Sequence, residues 1–382
     1  MRAHNERLIL SLIRANGSLA KADIAKQTGL SAQTISVIIR ELEAEGLLLR
    51  GEPVRGKVGQ PLVPMTLNPD GAYYFGLKVG RRTAQLVLID LLGGIRDMRE
   101  LDYRYPTPAL IRDFTRQATA DISAALGEEP RGRIAGLGIA LPFQLWNWAD
   151  SVGASDADLE AWREADLRAV IAQVVDFPVY LQNDATAACG AELAFGKQRA
   201  EGDFVYFYVG SFIGGGVVLN GRLYSGRSGN AGALGSMPVA RAGEAVSQLI
   251  DLASLSSLEQ ALLAAEQPCD WIRESPQDWG ELSPLVLDWV DKAGQAIAYA
   301  IVSSTAVIDF EAAVVDGWIP ADVRRLLVES TRRHIREFDL DGLNVPVVRE
   351  GSIGIHARAI GGASLPLSER FLIGRIERQG GN

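Results

Sequence analysis

The chain has 382 residues, 47% of them apolar and 22% charged, which is typical of a globular protein large enough for two or three domains. No apolar run reaches the roughly 18–20 residues of a membrane span, and the first residues lack the basic-then-apolar layout of a secretory signal. These absences predict a cytoplasmic protein without a membrane partner. Two distant cysteines, Cys189 and Cys269, and three histidines argue against a disulfide framework and a zinc site, so no bound metal is expected.

Charge is distributed unevenly along the chain. The formal net charge is −9, which argues against a surface that binds nucleic acid throughout. Residues 1–70, however, contain nine Lys or Arg and seven Asp or Glu, whereas the remainder contains 29 basic and 40 acidic residues. Any DNA-binding function is therefore expected at the N-terminus.

Three short helices are predicted at the N-terminus. In "NERLILSLIRANG" the apolar residues recur at helical spacing up to Asn16–Gly17, and "AKADIAKQTGL" predicts a second helix that ends at Gly29. Ser31 is placed to cap a third helix. The apolar residues of that helix lie at i, i+3, i+4 and i+7, and they are Ile35, Ile38, Ile39 and Leu42. Two helices joined to a third by a glycine turn indicate a helix-turn-helix.

The segment after Gly46, "LLLRGEPVRGKVGQPLVPMTL", predicts two short strands around a basic, glycine-rich loop. Such a hairpin is a wing, and with the three helices it indicates a winged helix-turn-helix that binds DNA. A three-helix scaffold used for protein contacts is the alternative. The turn signals Asn68–Pro69 and Asp70–Gly71 predict a domain boundary, so residues 1–68 are the expected DNA-binding domain.

Charge restricts the part of the third helix that can dock on DNA. Glu41, Glu43 and Glu45 crowd its C-terminal end, where they would repel phosphates. The N-terminal half of the helix and the wing are therefore the predicted contact surfaces. The candidate DNA-binding residues are Ser31, Gln33, Thr34, Ser36 and Arg40 in the helix and Arg55, Lys57 and Gln60 in the wing. Gln33 can make a bidentate pair with adenine, although each of these polar side chains could equally be solvated surface.

Strands and helices alternate from Tyr73 onward. The predicted strands are "YYFGLKVG", "TAQLVLIDLLGG", "IAGLGIAL", "FPVYLQND", "DFVYFYVG" and "GGGVVLNGRLYSG", the fourth of them buried and the last turning tightly at Asn220–Gly221. The predicted helices are "PALIRDFTRQATADISAAL", "DLEAWREADLRAVIAQVV" and "ATAACGAELAFG". Residues 244–382 are expected to be mostly helical, with strands in "AVIDFEAAVVDG" and "VPVVRE". This alternation indicates an α/β protein with a mixed sheet in each of two lobes.

The order of several motifs resembles the ROK family of repressors, open reading frames and kinases. The motifs are "FGLKVGRRT", "GLGIALP", "VYLQNDATAA", "YVGSFIGGGVVLNGRLYSG", "GNAGALGSM" and "IGIHARAIGGAS". Because they follow a winged helix-turn-helix, the chain looks like the family's repressors of the NagC and XylR type. The resemblance implies a two-lobed, actin-like ATPase fold of the ribonuclease H-like kind, with residues 69–183 in the first lobe and 184–365 in the second. A C-terminal helix at about 366–378 is expected to return to the first lobe.

The sequence departs from the family's kinase members at the positions that hold ATP. Lys78 stands where the resemblance implies an Asp that organises magnesium, and Phe212 replaces the last glycine of a Gly-Thr-Gly stretch, where backbone approaches phosphate. Ala233 and Ser236 replace the Glu and His of the family's sugar cradle. Residues 237–260 lack the cysteines that would bind zinc together with that His. The resemblance thus implies no catalytic residue, no cofactor and no metal in this chain.

Part of the family's sugar site remains. Asn183 and Asp184 match the sugar-binding pair, and Glu259 in "SSLEQ" matches the Glu of the family's "GCLE" stretch. These three are the predicted ligand-binding residues, since carboxylates accept hydrogen bonds from sugar hydroxyls without any phosphoryl donor. Asn183 and Asp184 could equally form a strand-to-helix junction with a side-chain cap. Glycines 214–216 are expected to serve close packing rather than phosphate binding.

These features predict a DNA-binding transcriptional regulator, most simply a repressor, whose ROK domain binds a sugar or sugar derivative as effector without phosphorylating it. The expected partners are a double-stranded DNA operator and the small-molecule sugar, and the expected assembly is a homodimer or homotetramer. The sugar would shift DNA affinity through its differential binding to two lobe arrangements. Two alternatives stay open: a sugar kinase of the ROK family, and a regulator with a vestigial sugar cleft that a partner protein controls.

Overall fold

The chain folds into an N-terminal helix-turn-helix and two mixed α/β parts. The computed structural model describes residues 2–53, 62–142, 156–197, 202–240 and 245–371. The chain divides into two compact units, one of Met1–Leu181 with Gly362–Asn382 and the other of Gln182–Gly361.

The N-terminal part is a winged helix-turn-helix, as predicted. Its elements are α1 (Arg2–Asn16), β1 (Ser18–Ala20), α2 (Lys21–Thr28), α3 (Ala32–Ala44), β2 (Leu48–Arg50) and β3 (Pro64–Leu67). Gly29 ends α2 with a φ of +70°, and Ser31 caps α3 by accepting the Thr34 N–H. The strands form an antiparallel sheet in the order β1-β3-β2. Strand β1 was not predicted, because three residues are too short to show an alternating pattern.

Hydrogen bonds hold the connecting segment 68–71 to the winged helix-turn-helix on one side and to the sheet that follows on the other. The Asn68 amide donates to the Gly46 carbonyl over 2.7 Å, and the Arg133 guanidinium donates to the Asp70 carbonyl over 2.8 Å. The Asp70 carboxylate also accepts from Arg96 over 2.8 Å. A Cβ on Gly71 would lie 2.8 Å from the Gly46 carbonyl oxygen, so the two segments are in direct contact. Segment 68–71 is therefore held by packing and hydrogen bonds at the junction between the winged helix-turn-helix and the sheet.

A five-stranded mixed sheet forms the centre of the first unit. Its strands are β4 (Tyr73–Val79), β5 (Thr83–Asp90), β6 (Ile95–Asp102), β7 (Ile134–Leu141) and β8 (Val179–Asn183), in the order β6-β5-β4-β7-β8. Strand β4 pairs antiparallel with β5 and parallel with β7. The accompanying helices are α4 (Pro108–Leu126), α5 (Glu128–Arg131), α6 (Asp156–Glu164) and α7 (Leu167–Ala172). The core between them is apolar and includes Phe75, Leu77, Leu86 and Ile139.

Three details of this sheet differ from the sequence expectations. Strand β6 was not predicted, because most of its residues are exposed and its charged sequence lacks the apolar alternation of a half-buried strand. The single helix expected over 158–175 is two helices, since Asp166 accepts the Ala169 N–H and so caps α7. Strand β8 is only half-buried rather than buried, because it lies at the edge of the sheet and leaves Leu181 exposed.

The second unit is built on another five-stranded mixed sheet. Its strands are β9 (Phe204–Val209), β10 (Gly214–Leu219), β11 (Arg222–Tyr224), β14 (Ala312–Gly317) and β15 (Val347–Glu350), and a separate small pair is β12 (Pro238–Val239) with β13 (Ser247–Gln248). The order of the sheet is β11-β10-β9-β14-β15. Asn220 and Gly221 make the predicted tight turn with φ values of 54° and 65°. The remaining helices are α8 (Asp184–Phe195), α9 (Leu249–Ala253), α10 (Leu255–Ala264), α11 (Trp271–Glu274), α12 (Pro284–Thr305), α13 (Ala321–Ile335) and α14 (Ala357–Phe371).

A polar cluster fastens α13 to α12. The His334 ring lies 2.9 Å through Nε2 from the Asp291 carboxylate and 2.9 Å through Nδ1 from the Glu337 carboxylate. Burial alone would lower the pKa of His334, but its bonds to Glu337 and Asp291 outweigh burial and raise the pKa above the usual value. The protonated ring can donate to both carboxylates at once, so the charged form is the one that stabilises the fold.

This cluster predicts a pH-dependent stability. A histidine whose pKa is raised on folding contributes most below its unfolded pKa of about 6.5, and the contribution disappears as the pH rises through the folded value. We expect His334→Gln to lower the free energy of unfolding by about 1 kcal/mol more at pH 6 than at pH 9, a modest effect because both carboxylates are half-exposed. Urea unfolding at the two pH values measures it. The exposed His4→Gln serves as control, and equal losses for His334→Gln at both pH values would contradict the assignment.

None of the helices in the described ranges has both the length and the apolarity that crossing a membrane requires.

Candidate functional site

The exposed face of α3 carries Gln33 and Arg40, two of the predicted DNA-contacting residues, whereas Thr34 and Ser36 are partly buried. Gln33, Val37 and Arg40 are exposed and follow each other at i, i+4 and i+7, so they form one stripe along the helix. The Arg40 Nε donates to the Ser36 carbonyl over 3.1 Å, which holds the guanidinium along this stripe. Ile35, on the opposite face, is fully buried. The face that is left free for a ligand is therefore the N-terminal and central part of α3.

Two of the predicted contact residues are engaged within the helix cap. The Ser31 hydroxyl accepts the Thr34 N–H over 3.1 Å, and the two hydroxyl oxygens lie 2.9 Å apart. Ser31 therefore has a structural role whether or not it also contacts DNA. The wing residues Arg55, Lys57 and Gln60 lie outside the described residues.

The acidic end of α3 is partly neutralised by the neighbouring strand. Arg50 of β2 forms an ion pair with Glu43, and this hydrogen bond is the main cause that lowers the pKa of the Glu43 carboxyl. Repulsion of phosphates by Glu43 is weakened accordingly. Glu45 follows the last turn of α3 and is exposed. The N-terminal half of α3 stays the part that is most compatible with DNA.

The position of Arg40 allows a quantitative prediction. We expect Arg40→Ala to weaken binding to a specific DNA site by about 1–3 kcal/mol, or roughly 5- to 150-fold, because one charged contact to a base edge or phosphate is lost. Arg325→Ala is the matched control, since it removes the same charge from a half-exposed side chain in α13. Fluorescence anisotropy with a labelled duplex measures both affinities. Equal affinities for Arg40→Ala and Arg325→Ala would contradict a role for Arg40 in binding.

The predicted ligand pair lies at the start of α8. Asn183 caps this helix, because its Oδ1 accepts the N–H groups of Ala185 and Thr186 over 3.2 Å each. The Asp184 Oδ1 accepts the Ala185 N–H over 2.9 Å. The structure therefore shows the capping interactions that the sequence left as one of two interpretations, and capping is compatible with ligand binding by the remaining polar atoms.

A residue that sequence analysis missed completes this pair. Arg358 in α14 donates through Nη1 to the Asp184 Oδ2 over 3.2 Å, and both side chains are about 15% exposed. Its guanidinium also lies 5.0 Å from the centre of the Tyr208 ring. Burial lowers the pKa of Arg358, but Tyr208 and Asp184 reverse this and raise it overall, while burial raises the pKa of Tyr208 to about 12. Asp184 is thus one member of a largely buried ion pair.

The ion pair limits what Asp184 can do chemically. A carboxylate that took a proton from a substrate would leave Arg358 buried without its counter-charge. The arrangement favours an Asp184 whose carboxylate accepts hydrogen bonds. A signal for Arg358 exists in the sequence, since it is the one charged residue in the small and apolar stretch "ARAIGGAS".

The third predicted ligand residue is engaged elsewhere in the same unit. Glu259 in α10 accepts from the Arg273 Nε over 3.0 Å, and its side chain is 14% exposed. Among the described residues it shares no hydrogen bond with Asn183 or Asp184. The structure therefore brings Asn183 and Asp184 together and places Glu259 in an ion pair between α10 and α11.

In this chain, hydrogen bonds occupy polar groups in the two hairpins that correspond to the ATP-binding hairpins of the family's kinases. In the first unit, Lys78 is buried and donates to the Thr83 hydroxyl over 2.9 Å. In the second unit, the loop before β10 is fastened to the start of α10, as the Leu255 N–H donates to the Gly210 carbonyl over 2.9 Å and the Ile213 N–H donates to the Ser254 hydroxyl over 2.9 Å. The Ile213 N–H, a donor that a phosphate could otherwise use, is already occupied.

The glycines of β10 are explained by packing. A Cβ on Gly215 would lie 2.2 Å from the Tyr206 carbonyl oxygen, and one on Gly216 would lie 2.5 Å from the Cys189 Cβ in α8. Neither position has room for a side chain. The described ranges also contain no group of three or more His, Cys, Asp or Glu side chains that could hold a metal ion.

The winged helix-turn-helix, the two mixed α/β sheets and two family matches together identify a DNA-binding transcriptional regulator. Residues 2–48 match the winged helix-turn-helix DNA-binding family, and residues 74–369 match the ROK family. The chain belongs to the ROK family.

Known proteins similar to this chain include regulators and kinases. An uncharacterized protein of Sinorhizobium fredii is 26% identical over 98% of this chain and 94% of its own length. The xylose repressor of Bacillus spizizenii is 27% identical over 62% of this chain, and the match spans 60% of that repressor, less than two thirds of its length.

Solved structures show the same fold. A ROK family transcriptional regulator, a homologue of the Escherichia coli MLC protein, superposes with a TM-score of 0.71 at 20% identity over 97% of this chain and 96% of its own. A ROK family glucokinase from Streptomyces griseus, solved with glucose and AMPPNP, gives a TM-score of 0.59 at 21% identity over 77% of this chain and 99% of its own. At these identities the structures define the fold alone.

Proposed function

We propose that this chain is a repressor whose ROK part binds a sugar as effector and does not phosphorylate it. The observation that carries the proposal is the Asp184–Arg358 ion pair beside the capping Asn183, which keeps polar acceptors at the family's sugar position but opposes proton transfer by Asp184. The similarity to xylose repressors suggests xylose or a related sugar as the first ligand to test.

We assign one role to each of three consecutive segments of the chain. Residues 1–68 bind an operator in double-stranded DNA, residues 69–183 form the first ROK lobe together with the C-terminal helix, and residues 184–365 form the second lobe. The hydrogen bonds at Asn68 and Asp70 support the transmission of a sugar-induced movement from the ROK part to the DNA-binding part. Through these bonds the winged helix-turn-helix would follow a movement of the neighbouring sheet. We propose a homodimer or homotetramer on a two-fold symmetric operator, working in the cytoplasm where the DNA is.

Two residues in the hairpins that correspond to the kinases' ATP-binding hairpins support the proposal that this chain does not phosphorylate its sugar. Magnesium requires oxygen ligands, and the Lys78 ammonium with its Thr83 partner offers no anionic oxygen. The Phe212 side chain follows Gly210 and Ser211 at the point where the family's kinases present glycine backbone to phosphate. These features favour a regulator over an enzyme.

Ligand binding tests the effector role directly. Full-length protein is titrated by calorimetry with D-xylose and a panel of monosaccharides and sugar phosphates, and its melting temperature is recorded with each. We expect one sugar to bind, to raise the melting temperature and to lose affinity in Asp184→Asn. A flat response to the whole panel would instead support the regulator with a vestigial sugar site.

The second candidate function is a sugar kinase, favoured by the fold shared with the Streptomyces griseus glucokinase. Sugar-dependent production of ADP from ATP and magnesium, abolished by Asp184→Asn, would establish it. We expect no ADP above the rate without sugar.

A further inference from the structure

One apolar side chain breaks the polar stripe on α3. Val37 is 41% exposed, whereas the other large apolar residues of the helix, at 35, 38, 39 and 42, are at most 4% exposed. It lies one turn after Gln33 and one turn before Arg40, in the middle of the candidate DNA-contacting face. The core of the winged helix-turn-helix therefore does not use this side chain.

Helix propensity does not favour a valine at this position. A β-branched residue is a weaker helix former than alanine or most long polar residues, and an exposed valine leaves its methyl groups in water. A partner that binds this face would match it if an apolar group faced Val37 and polar groups faced Gln33 and Arg40. The major groove of DNA has this pattern wherever a thymine C5-methyl group lies beside base-edge hydrogen-bonding groups.

From this placement we infer that Val37 contacts the C5-methyl group of a thymine and makes the operator sequence specific at that base. The inference rests on DNA binding through α3 and deepens it. Four residues of helix span about 6 Å, close to the rise of two base pairs, so the thymine lies within about two base pairs of the base read by Gln33. Val37 then supplies apolar recognition between two polar contacts.

Replacement of thymine by uracil isolates this contact. Full-length protein first selects its sites from a random pool of duplex DNA, and each thymine of the selected half-site is then replaced by dU, which removes only the methyl group. We expect one position per half-site where dU weakens binding on the order of three- to fivefold, as the loss of one buried methyl implies. At the other thymines dU should change the affinity little.

Two variants link the effect to Val37. Val37→Ala is expected to bind the dT and dU duplexes equally, while Val37→Thr, which keeps a branched methyl, is expected to keep the preference for dT. Because Val37 is exposed, both variants should keep the free energy of unfolding within about 0.5 kcal/mol of the parent chain.

The possible results distinguish failure of the proposed Val37–thymine contact from failure of DNA binding through α3. Selected sites without a methyl-sensitive thymine, or a dT preference that persists unchanged in Val37→Ala, would overturn the Val37 contact and leave DNA binding in place. Failure to enrich any sequence would contradict DNA binding as well.

Discussion

Replacing Asp184 with leucine is expected to lower the free energy of unfolding by about 3–5 kcal/mol, because it leaves the largely buried Arg358 without its counter-charge. Leucine also removes the acceptor for the Arg358 Nη1 and one of the two acceptors of the Ala185 N–H at the start of α8. The decrease in the free energy of unfolding should therefore be several times that caused by an ordinary surface substitution.

Two further variants make this test specific. The double variant Asp184→Leu with Arg358→Met should recover most of the lost stability, since replacing both members of a buried pair by apolar residues is often close to neutral. Asp288→Leu removes a carboxylate from the exposed pair with Lys292 and should cost under about 1 kcal/mol. Urea unfolding of all variants gives the comparison. A double variant as unstable as Asp184→Leu alone would show that the pair is not the source of the effect.

The second large effect is expected at Gly215. Alanine there would place its Cβ 2.2 Å from the Tyr206 carbonyl oxygen of β9 and 2.4 Å from the Leu234 Cδ1, so the β9–β10 ladder would have to shift. We expect a loss of about 3 kcal/mol or more in unfolding free energy, with no ligand present.

Gly210 offers a matched control in the same hairpin. A Cβ there would meet its nearest atoms, the Phe212 carbonyl oxygen and the Tyr208 ring, at 3.4 Å, which is ordinary contact. Gly210→Ala should therefore change stability by less than about 1 kcal/mol. Thermal unfolding of both variants decides between packing and ligand binding as the reason for these glycines. A stable Gly215→Ala variant would contradict the packing explanation.

The sequence was sufficient to predict most of the architecture. Apolar spacing located α1 and α3, Gly29 and Ser31 fixed the turn and the cap between the helices, and Asn220–Gly221 fixed the hairpin. These features depend on neighbours within a few residues, which is the range over which propensity and capping act. Elements without a local apolar pattern, such as β1 and the charged β6, were missed for the same reason.

The site was less predictable than the fold. Asn183 and Asp184 were predicted from the family resemblance, but Arg358, which donates to Asp184, lies 174 residues from it in the sequence, and no local pattern joins these two residues. Glu259 matched the family's motif in sequence, yet its carboxylate is paired with Arg273. Val37 falls outside the helical spacing of the buried residues, and only the structure showed that it lies between Gln33 and Arg40 on the exposed face of α3.

The affinity for the operator with and without sugar tests the proposed function most directly. The proposal is that this ROK protein is a DNA-binding regulator whose DNA affinity changes when a sugar binds. The measurement is fluorescence anisotropy of a labelled, selected operator duplex with full-length protein, with ATP and magnesium present, in the absence and presence of D-xylose and the other sugars. We expect one sugar to raise the Kd for the operator by about 5- to 150-fold while no ADP forms. An operator Kd that is unchanged by every sugar, together with sugar-dependent formation of ADP, would contradict it.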